Sequence, residues 1–453
     1  MITLDDQLDF DEEKEFGAPV APHSARPPRT VAERVGVAMV AIGTIALVAM
    51  YFAGPFLGGW GSLLVGYFLP AVGGVLAFVA RYRGRPVGIY HDGIAFSSTT
   101  HRGVTAWLLA FGITGFYVAL YFRDDLTGAL GHDFIAPLVT ITNPLAQLLA
   151  SQDASHWFLY GFLYTLSVTV FGVRMWMRYR HNRYQRLRTV SVVFFQLVLA
   201  FLIPNLLILF QSKEYYFTYF WPLKPEYLYP SAWQSAEGTV AFFFYWSAFM
   251  SLIATPILTY YYGKRWYCSW VCGCGGLAET LGDPWRQLSD KSTRAWRIER
   301  WMIHSVLVLV IALTVVLWVN SAQEGRVLGD FSQAFSTFYG LWITMIFSGV
   351  VGVGFYPLLG SRVWCRFGCP MAAVLGIIQR VKSRFRITTN GSQCMSCGNC
   401  STFCEMGIDV RAYAQRGENI IRASCVGCGV CSAVCPRGVL KLENGPEGTR
   451  FKV

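Results

Sequence analysis

Long apolar runs alternate with short polar stretches along the chain. A helix that crosses a bilayer needs roughly 20 apolar residues. Eight runs reach that length, at about 35–53, 60–80, 104–122, 156–177, 189–210, 239–262, 301–319 and 339–359. The pattern predicts an all-α polytopic membrane domain of about eight transmembrane helices. A Gly/Pro-rich turn, AGPFLGGWG, joins the first two runs, and polar loops separate the others. The runs are read as free of Asp, Glu, Lys and Arg, with Arg174 grouped into the loop after the fourth. Ionisable residues inside spans mark ion pathways and proton relays, so this reading argues against a channel or pump at the bilayer centre. His156 and His304 open the fourth and seventh runs from opposite faces, which argues against a haem held between them.

Composition supports the membrane reading. Of 453 residues, 54% are hydrophobic and only 14% charged, against about 25% charged in soluble domains. The net charge of +11 changes meaning once the basic residues are placed. Thirty-four of the 38 fall in the N-terminal stretch, the odd-numbered loops and the C-terminal part. Only Arg123, Lys213, Lys224 and Arg326 fall in the alternate loops. By the positive-inside rule both termini and all cysteines then face the cytoplasm of a bacterial inner membrane, and the excess is no sign of nucleic-acid binding. Residues 1–33 carry seven acids among the first fifteen and then APHSARPPRT. They are expected to form a disordered cytoplasmic tail, followed by a membrane domain at 34–389 and a third region at 390–453. The external stretch YYFTYFWPLKPEYLYPSAW, 215–233, is expected to be an interfacial aromatic belt, with a quinone-ring or partner contact as the alternative.

All thirteen cysteines lie between Cys268 and Cys435. Cys394, Cys397, Cys400 and Cys404 form C-x2-C-x2-C-x3-C, and Cys425, Cys428, Cys431 and Cys435 repeat it before Pro436. This is the bacterial two-cluster ferredoxin spacing, in which the fourth cysteine of each run ligates the other cluster. The expected ligands are Cys394, Cys397, Cys400 and Cys435 for one 4Fe-4S cluster, and Cys425, Cys428, Cys431 and Cys404 for the other. Four thiolates also suit zinc, but zinc ribbons set paired knuckles farther apart. The region 390–453 is therefore expected to be a cytoplasmic α+β bacterial two-cluster ferredoxin domain. Glu405 stands after Cys404, where Pro is usual.

Two further motifs follow the sixth and eighth runs: Gly263-Lys-Arg265-Trp-Tyr267-Cys268-x3-Cys272-Gly273-Cys274 and Gly360-Ser-Arg362-Val-Trp364-Cys365-x3-Cys369-Pro370. Their Gly-x-Arg-x-aromatic-Cys-x3-Cys pattern recurs after 97 residues and predicts a parallel internal repeat. A helical x3 places each pair on one face. Cys268, Cys272, Cys365 and Cys369 then suit a third iron–sulfur cluster, a soft metal such as Cu(I), or a redox dithiol, and the spacing leaves all three open. Cys274 has no counterpart and is expected to be structural. Arg265 and Arg362 are expected to anchor the inner face, or to favour thiolate and offset cluster charge. The basic segment RVKSRFR, 380–386, is expected to lie on anionic lipid.

These motifs resemble the membrane polyferredoxin superfamily over about 239–445. That superfamily includes the membrane iron–sulfur protein of nitrous oxide reductase systems, the quinol dehydrogenase subunit of periplasmic nitrate reductase and the oxidase accessory polyferredoxin. The resemblance implies electron transfer between a quinone pool or cytoplasmic donor and a redox partner, such as a flavoprotein, a cytochrome or a terminal reductase or oxidase. It maps the family's Cys-x3-Cys-Pro motifs onto Cys268/Cys272 and Cys365/Cys369, with Gly273 in place of one Pro. No external loop exceeds about 35 residues, so the external flavin domain of the nitrous oxide type has no place here. Two alternatives remain at this point: a copper-reducing assembly factor for an oxidase or reductase, and a redox-sensing regulatory membrane protein.

Overall fold

A computed structural model describes residues 29–83, 103–210, 214–230, 233, 238–323, 326, 329–390 and 393–445. The expected tail at 1–33 lies outside the described residues except for its last five. The structure is 73% helical, and among the described residues eight helices are long and apolar enough to cross a membrane. These spans are Val31–Ala53, Gly58–Tyr82, Val104–Tyr121, His156–Arg178, Arg183–Leu209, Val240–Tyr262, Thr293–Ala322 and Gly329–Gly354. Their outer faces carry exposed Ile, Val, Phe and Trp, such as Ile45, Phe52, Val308 and Trp342, as lipid contact requires. Thr30 caps the first span by accepting from the Glu33 amide at 3.2 Å, which starts it at Val31.

A ninth long helix, Ala136–Ala150, was hidden in the loop between spans three and four. It buries Val139, Ile141, Thr142 and Ala146. At 15 residues it is short of a full crossing.

Arg174 lies inside span four, contrary to the reading of charge-free spans. It sits one turn from the helix end beside Arg178, and both are fully buried.

The C-terminal unit is α+β. Strands β1 (Arg386–Thr389) and β2 (Leu440–Glu443) pair antiparallel, with Arg386 opposite Glu443. Short helices Asn399–Thr402, Val410–Arg416 and Val430–Ala433 complete it. The opening strand begins four residues before the expected boundary at 390. Gly398 and Gly429, at φ of 80° and 75°, start the first and last of these helices inside the two cysteine runs.

The basic segment 380–386 keeps Arg380, Lys382 and Arg384 exposed but is tied down at its end. Arg384 stacks on Tyr260 and Tyr261, its amide donates to the Tyr260 carbonyl at 2.7 Å, and Arg386 is buried in the sheet.

Candidate iron–sulfur and thiol sites

Both Cys-x3-Cys motifs fold as re-entrant hairpins. Each begins at a glycine with positive φ, Gly263 at 66° and Gly360 at 90°, where the chain turns back from the end of a span. A short helix follows, Arg265–Cys268 or Val363–Phe367. The second cysteine of each pair then starts a helix that runs back out, Gly273–Glu279 or Pro370–Lys382. Cys369 caps its helix, accepting from the Ala372 amide at 3.4 Å. Cys272 likewise accepts from the amide of Gly275.

The hairpins carry the thiols deep into the bundle. A Cβ on Gly273 would meet the Tyr164 hydroxyl at 3.0 Å and Gln196 Oε1 at 3.1 Å. Tyr164 is the ninth of 23 residues in span four, and Gln196 the fourteenth of 27 in span five. On the other side, Ala373 packs with Leu307 and Val310, and Val310 is the eighteenth of 30 residues in span seven. The four thiols expected at the membrane edge therefore sit about halfway along the spans. Irregular backbone survives at that depth only inside protein, and all four cysteines are buried. The π-helical turns Phe195–Leu202 and Gly340–Val351 adjust the neighbouring spans. The first points Gln196 at the Val271 carbonyl, 2.8 Å away. The second sets Phe347 edge-on to Trp364, with ring centroids 5.6 Å apart.

Cys268, Cys272, Cys365 and Cys369 converge in one buried cluster. Cys274, expected to stand apart, donates a hydrogen bond to Cys272. The aromatic stretch 215–233 divides: Tyr227 and Trp233 stack at the start of span six, while its middle turns inward. Residues 218–220 cover the thiols: the Thr218 carbonyl accepts from the Tyr267 hydroxyl at 2.7 Å, and the Phe220 ring meets the Tyr267 ring at 5.4 Å. Trp221 donates to the Thr314 hydroxyl at 3.1 Å, inside span seven. The missing proline also has a cause. A Cβ at position 273 would lie 2.8 Å from the Tyr219 hydroxyl, so a side chain there would have to displace it.

The structure brings the ferredoxin-type cysteines together in two sets. Cys400 is electrostatically coupled to Cys394, Cys397 and Cys435, and these four line one open cavity. Cys431 is coupled to Cys425, Cys428 and Cys404. Burial pushes the Cys425 thiol to about 11 and the Cys400 thiol to about 12. A metal binding there must displace those protons. The convergent thiol sets fit clusters of the 4Fe-4S kind.

The membrane domain holds the second of these sets by its backbone. Tyr184 donates to the Gly427 carbonyl at 2.8 Å, and Gln185 and Arg188 donate to the Cys428 carbonyl at 2.9 and 2.5 Å. Ser269 reaches the Val426 carbonyl at 2.8 Å, and Gln379 reaches those of Arg422 and Cys425 at 2.7 and 2.9 Å.

Between the thiol sites lies a charge network that sequence reading missed. Arg174, Arg178, Arg188, Arg286 and Arg362 are all at most 1% exposed, as are Glu279, Asp283 and Glu405. Arg174 and Arg178 pair with Asp283, and Arg188 pairs with Glu279 at 2.5 Å. Arg286 reaches Glu279, Asp283 and Glu405 at 3.2, 3.1 and 2.9 Å, and lies 3.9 Å from Cys428 Sγ. Arg362 reaches Glu279 and Glu405 at 2.6 and 3.1 Å, and lies 3.6 Å from Cys365 Sγ. Glu405 thus joins two guanidiniums, one on each thiol site. Burial alone would raise its carboxyl, but Arg286 and Arg362 hold it down at about 2. Asp283 is likewise lowered by Arg178 and Arg174 against the effect of burial. Five arginines against three carboxylates leave positive charge to offset bound thiolates. The visible signals were thin: Glu279 and Asp283 are two of four acids in a basic loop, and Glu405 stands where Pro is usual after the fourth cysteine.

Comparison with known proteins agrees with this geometry. The family described as a 4Fe-4S dicluster domain matches residues 386–436. The family described as a 4Fe-4S binding domain matches twice, at 244–292 and 341–388, once over each hairpin. YccM of Escherichia coli, named for electron transport, is 26% identical over 36% of this chain and 48% of its own length. The methylamine utilization ferredoxin-type protein MauN of Methylorubrum extorquens is 27% identical over 34% of this chain and 53% of its own. The ferredoxin-type protein NapH of Haemophilus influenzae has the same identity and coverage. The match spans about half the length of these curated relatives. No solved structure matches at comparable significance. The domain matches indicate iron–sulfur clusters, and the relatives support a membrane electron-transport role.

Proposed function

We propose that this chain, which fits the membrane polyferredoxin family, passes electrons along three iron–sulfur sites from its cytoplasmic ferredoxin unit into the middle of the membrane. Bound clusters supply one-electron redox chemistry at nearly fixed geometry. Cys394, Cys397, Cys400 and Cys435 hold the first, and Cys425, Cys428, Cys431 and Cys404 the second. Cys268, Cys272, Cys365 and Cys369 hold the third, at the meeting of the hairpins. From there electrons pass to a quinone or to a redox partner.

The observation that carries this reading is the bridge between sites. Arg286 at Cys428 and Arg362 at Cys365 share Glu405. The two sites are thereby locked into one rigid body, and fixed spacing is what a wire needs. Four converging buried thiols beside surplus positive charge favour an anionic cluster over a dithiol.

Iron analysis and EPR of anaerobically purified protein test the reading. Cys365→Ser is expected to lower iron from about twelve to about eight atoms per chain, with the signals of the ferredoxin unit retained. Copper that is present in the wild type and lost in Cys365→Ser, with iron unchanged, would instead establish the copper-handling alternative.

A further inference from the structure

The two ferredoxin sites face different surroundings. The second is clamped against the membrane domain through the carbonyls of residues 425–428. The first opens outward. Cys397 is exposed, Cys394 and Cys435 are half-buried, and the Met395 side chain beside them is 58% exposed. Arg411 and Arg437 line the same opening, and both are exposed. The Arg411 Nη1 atom would lie 3.8 Å from a Cβ on Gly398, which places it over the rim of the cysteine run.

Neither arginine forms an ion pair among the described residues. The acids near them are engaged elsewhere. Asp409 accepts from the Ser401 hydroxyl at 2.7 Å and caps helix Val410–Arg416, and Glu418 pairs with Arg416 at 2.9 Å. The result is an exposed apolar centre over a thiol ligand, flanked by two uncompensated guanidiniums. Encounters between electron-transfer proteins need only a small interface, below about 1,200 Å². Their association is steered by opposite charge.

We propose that this rim is the docking surface for an acidic, soluble one-electron carrier protein. The inference rests on the electron-transfer reading above and names its point of entry. One electron leaves the carrier, which is oxidised by one. The iron held by Cys394, Cys397, Cys400 and Cys435 is reduced by one. No bond forms or breaks and no proton is required.

Stopped-flow mixing of the full-length protein in detergent with a reduced plant-type [2Fe–2S] ferredoxin, an acidic carrier, provides the test. At low ionic strength the Arg411→Glu/Arg437→Glu double variant is expected to react at least about tenfold more slowly than wild type. The wild-type rate should fall with added salt while the variant's stays nearly flat. Arg411→Lys/Arg437→Lys should restore most of the rate, and Arg416→Glu, which is off the rim, should leave it unchanged. Photoreduction by deazaflavin and the EPR spin count are charge-blind controls. Loss of those signals in wild type would defeat the electron-transfer reading itself. A double variant with full spin count and an unchanged ferredoxin rate would overturn the docking proposal alone. A faster rate in that variant would also overturn it.

Discussion

The two hairpins have one backbone and two characters. In both, a positive-φ glycine turns the chain, a short helix presents one cysteine, and the next cysteine starts the returning helix. Their arginines then part. Arg362 is buried among Glu279, Glu405 and Cys365. Its counterpart Arg265 lies 4.9 Å over the Phe385 ring and 5.6 Å over that of Tyr184. The second hairpin's arginine thus joins Arg286 in pairing with Glu405 of the ferredoxin unit, while the first hairpin's arginine stacks on aromatic rings. Their returning helices also differ, with 7 residues in the one that begins at Gly273 and 13 in the one that begins at Pro370. The repeat fixes where the thiols meet, and the diverged side chains fix what each half contacts.

The sharpest way to break this asymmetry is Arg362→Met. It leaves two buried carboxylates short of a partner, a loss of the order of 3–5 kcal/mol. Thermal unfolding should drop accordingly, and the ferredoxin unit should become open to limited proteolysis. Arg265→Met should lose only about 0.5–2 kcal/mol of stacking. Equal effects of the two would abolish the distinction between the halves.

Gly273→Pro tests the packing side of the comparison. The ring would press on the Tyr219 and Tyr164 hydroxyls. Overpacking of that kind costs about 1–3 kcal/mol, and iron at the third site should fall with it. Pro370→Gly, which only frees the unfolded chain, should cost about 1 kcal/mol or less. Comparable melting temperatures for both variants would refute the steric account.

Acid should act through the network more gently. The Glu405 carboxyl is held at about 2 in the folded protein, against about 4.3 in an unfolded chain. Its contribution is therefore complete above the unfolded value and is lost as pH falls toward 2. Melting of the metal-free protein should be flat above about pH 5 and decline below about pH 4.3. Glu405→Gln should shallow that decline. Smallest of all, Cys274→Ser keeps a hydrogen-bond donor beside Cys272, and iron content should stay at the wild-type level.

The spans and the cysteine runs were legible because each is a local signal: apolar length in the one, thiol spacing in the other. Depth was not legible. Residues 263–280 are rich in Gly, Cys and Trp and too short to cross, so they read as an edge loop, and hydropathy reports length rather than burial. The aromatic stretch 215–233 carries the composition of an interfacial belt, yet Tyr215 and Phe220 are buried, and Phe220 packs in the cluster that holds the thiols. The basic count reads orientation from every arginine alike. Arg174 and Arg178 in fact reach across the bundle to Asp283, more than a hundred residues away, a pairing that no local pattern encodes. The helix Ala136–Ala150 was missed because its apolar run is too short to be taken for a crossing.

The depth of the hairpins has an electrical consequence. A charge carried across a full membrane is worth about 2.3 kcal/mol per 100 mV. An electron held halfway along the spans has crossed about half of that field, or about 1.1 kcal/mol per 100 mV. That is about a sixfold change in its equilibrium with the ferredoxin unit. On the proposed electron route, a membrane energised negative on the ferredoxin side would push electrons toward the hairpin thiols, and a collapsed one would let them return.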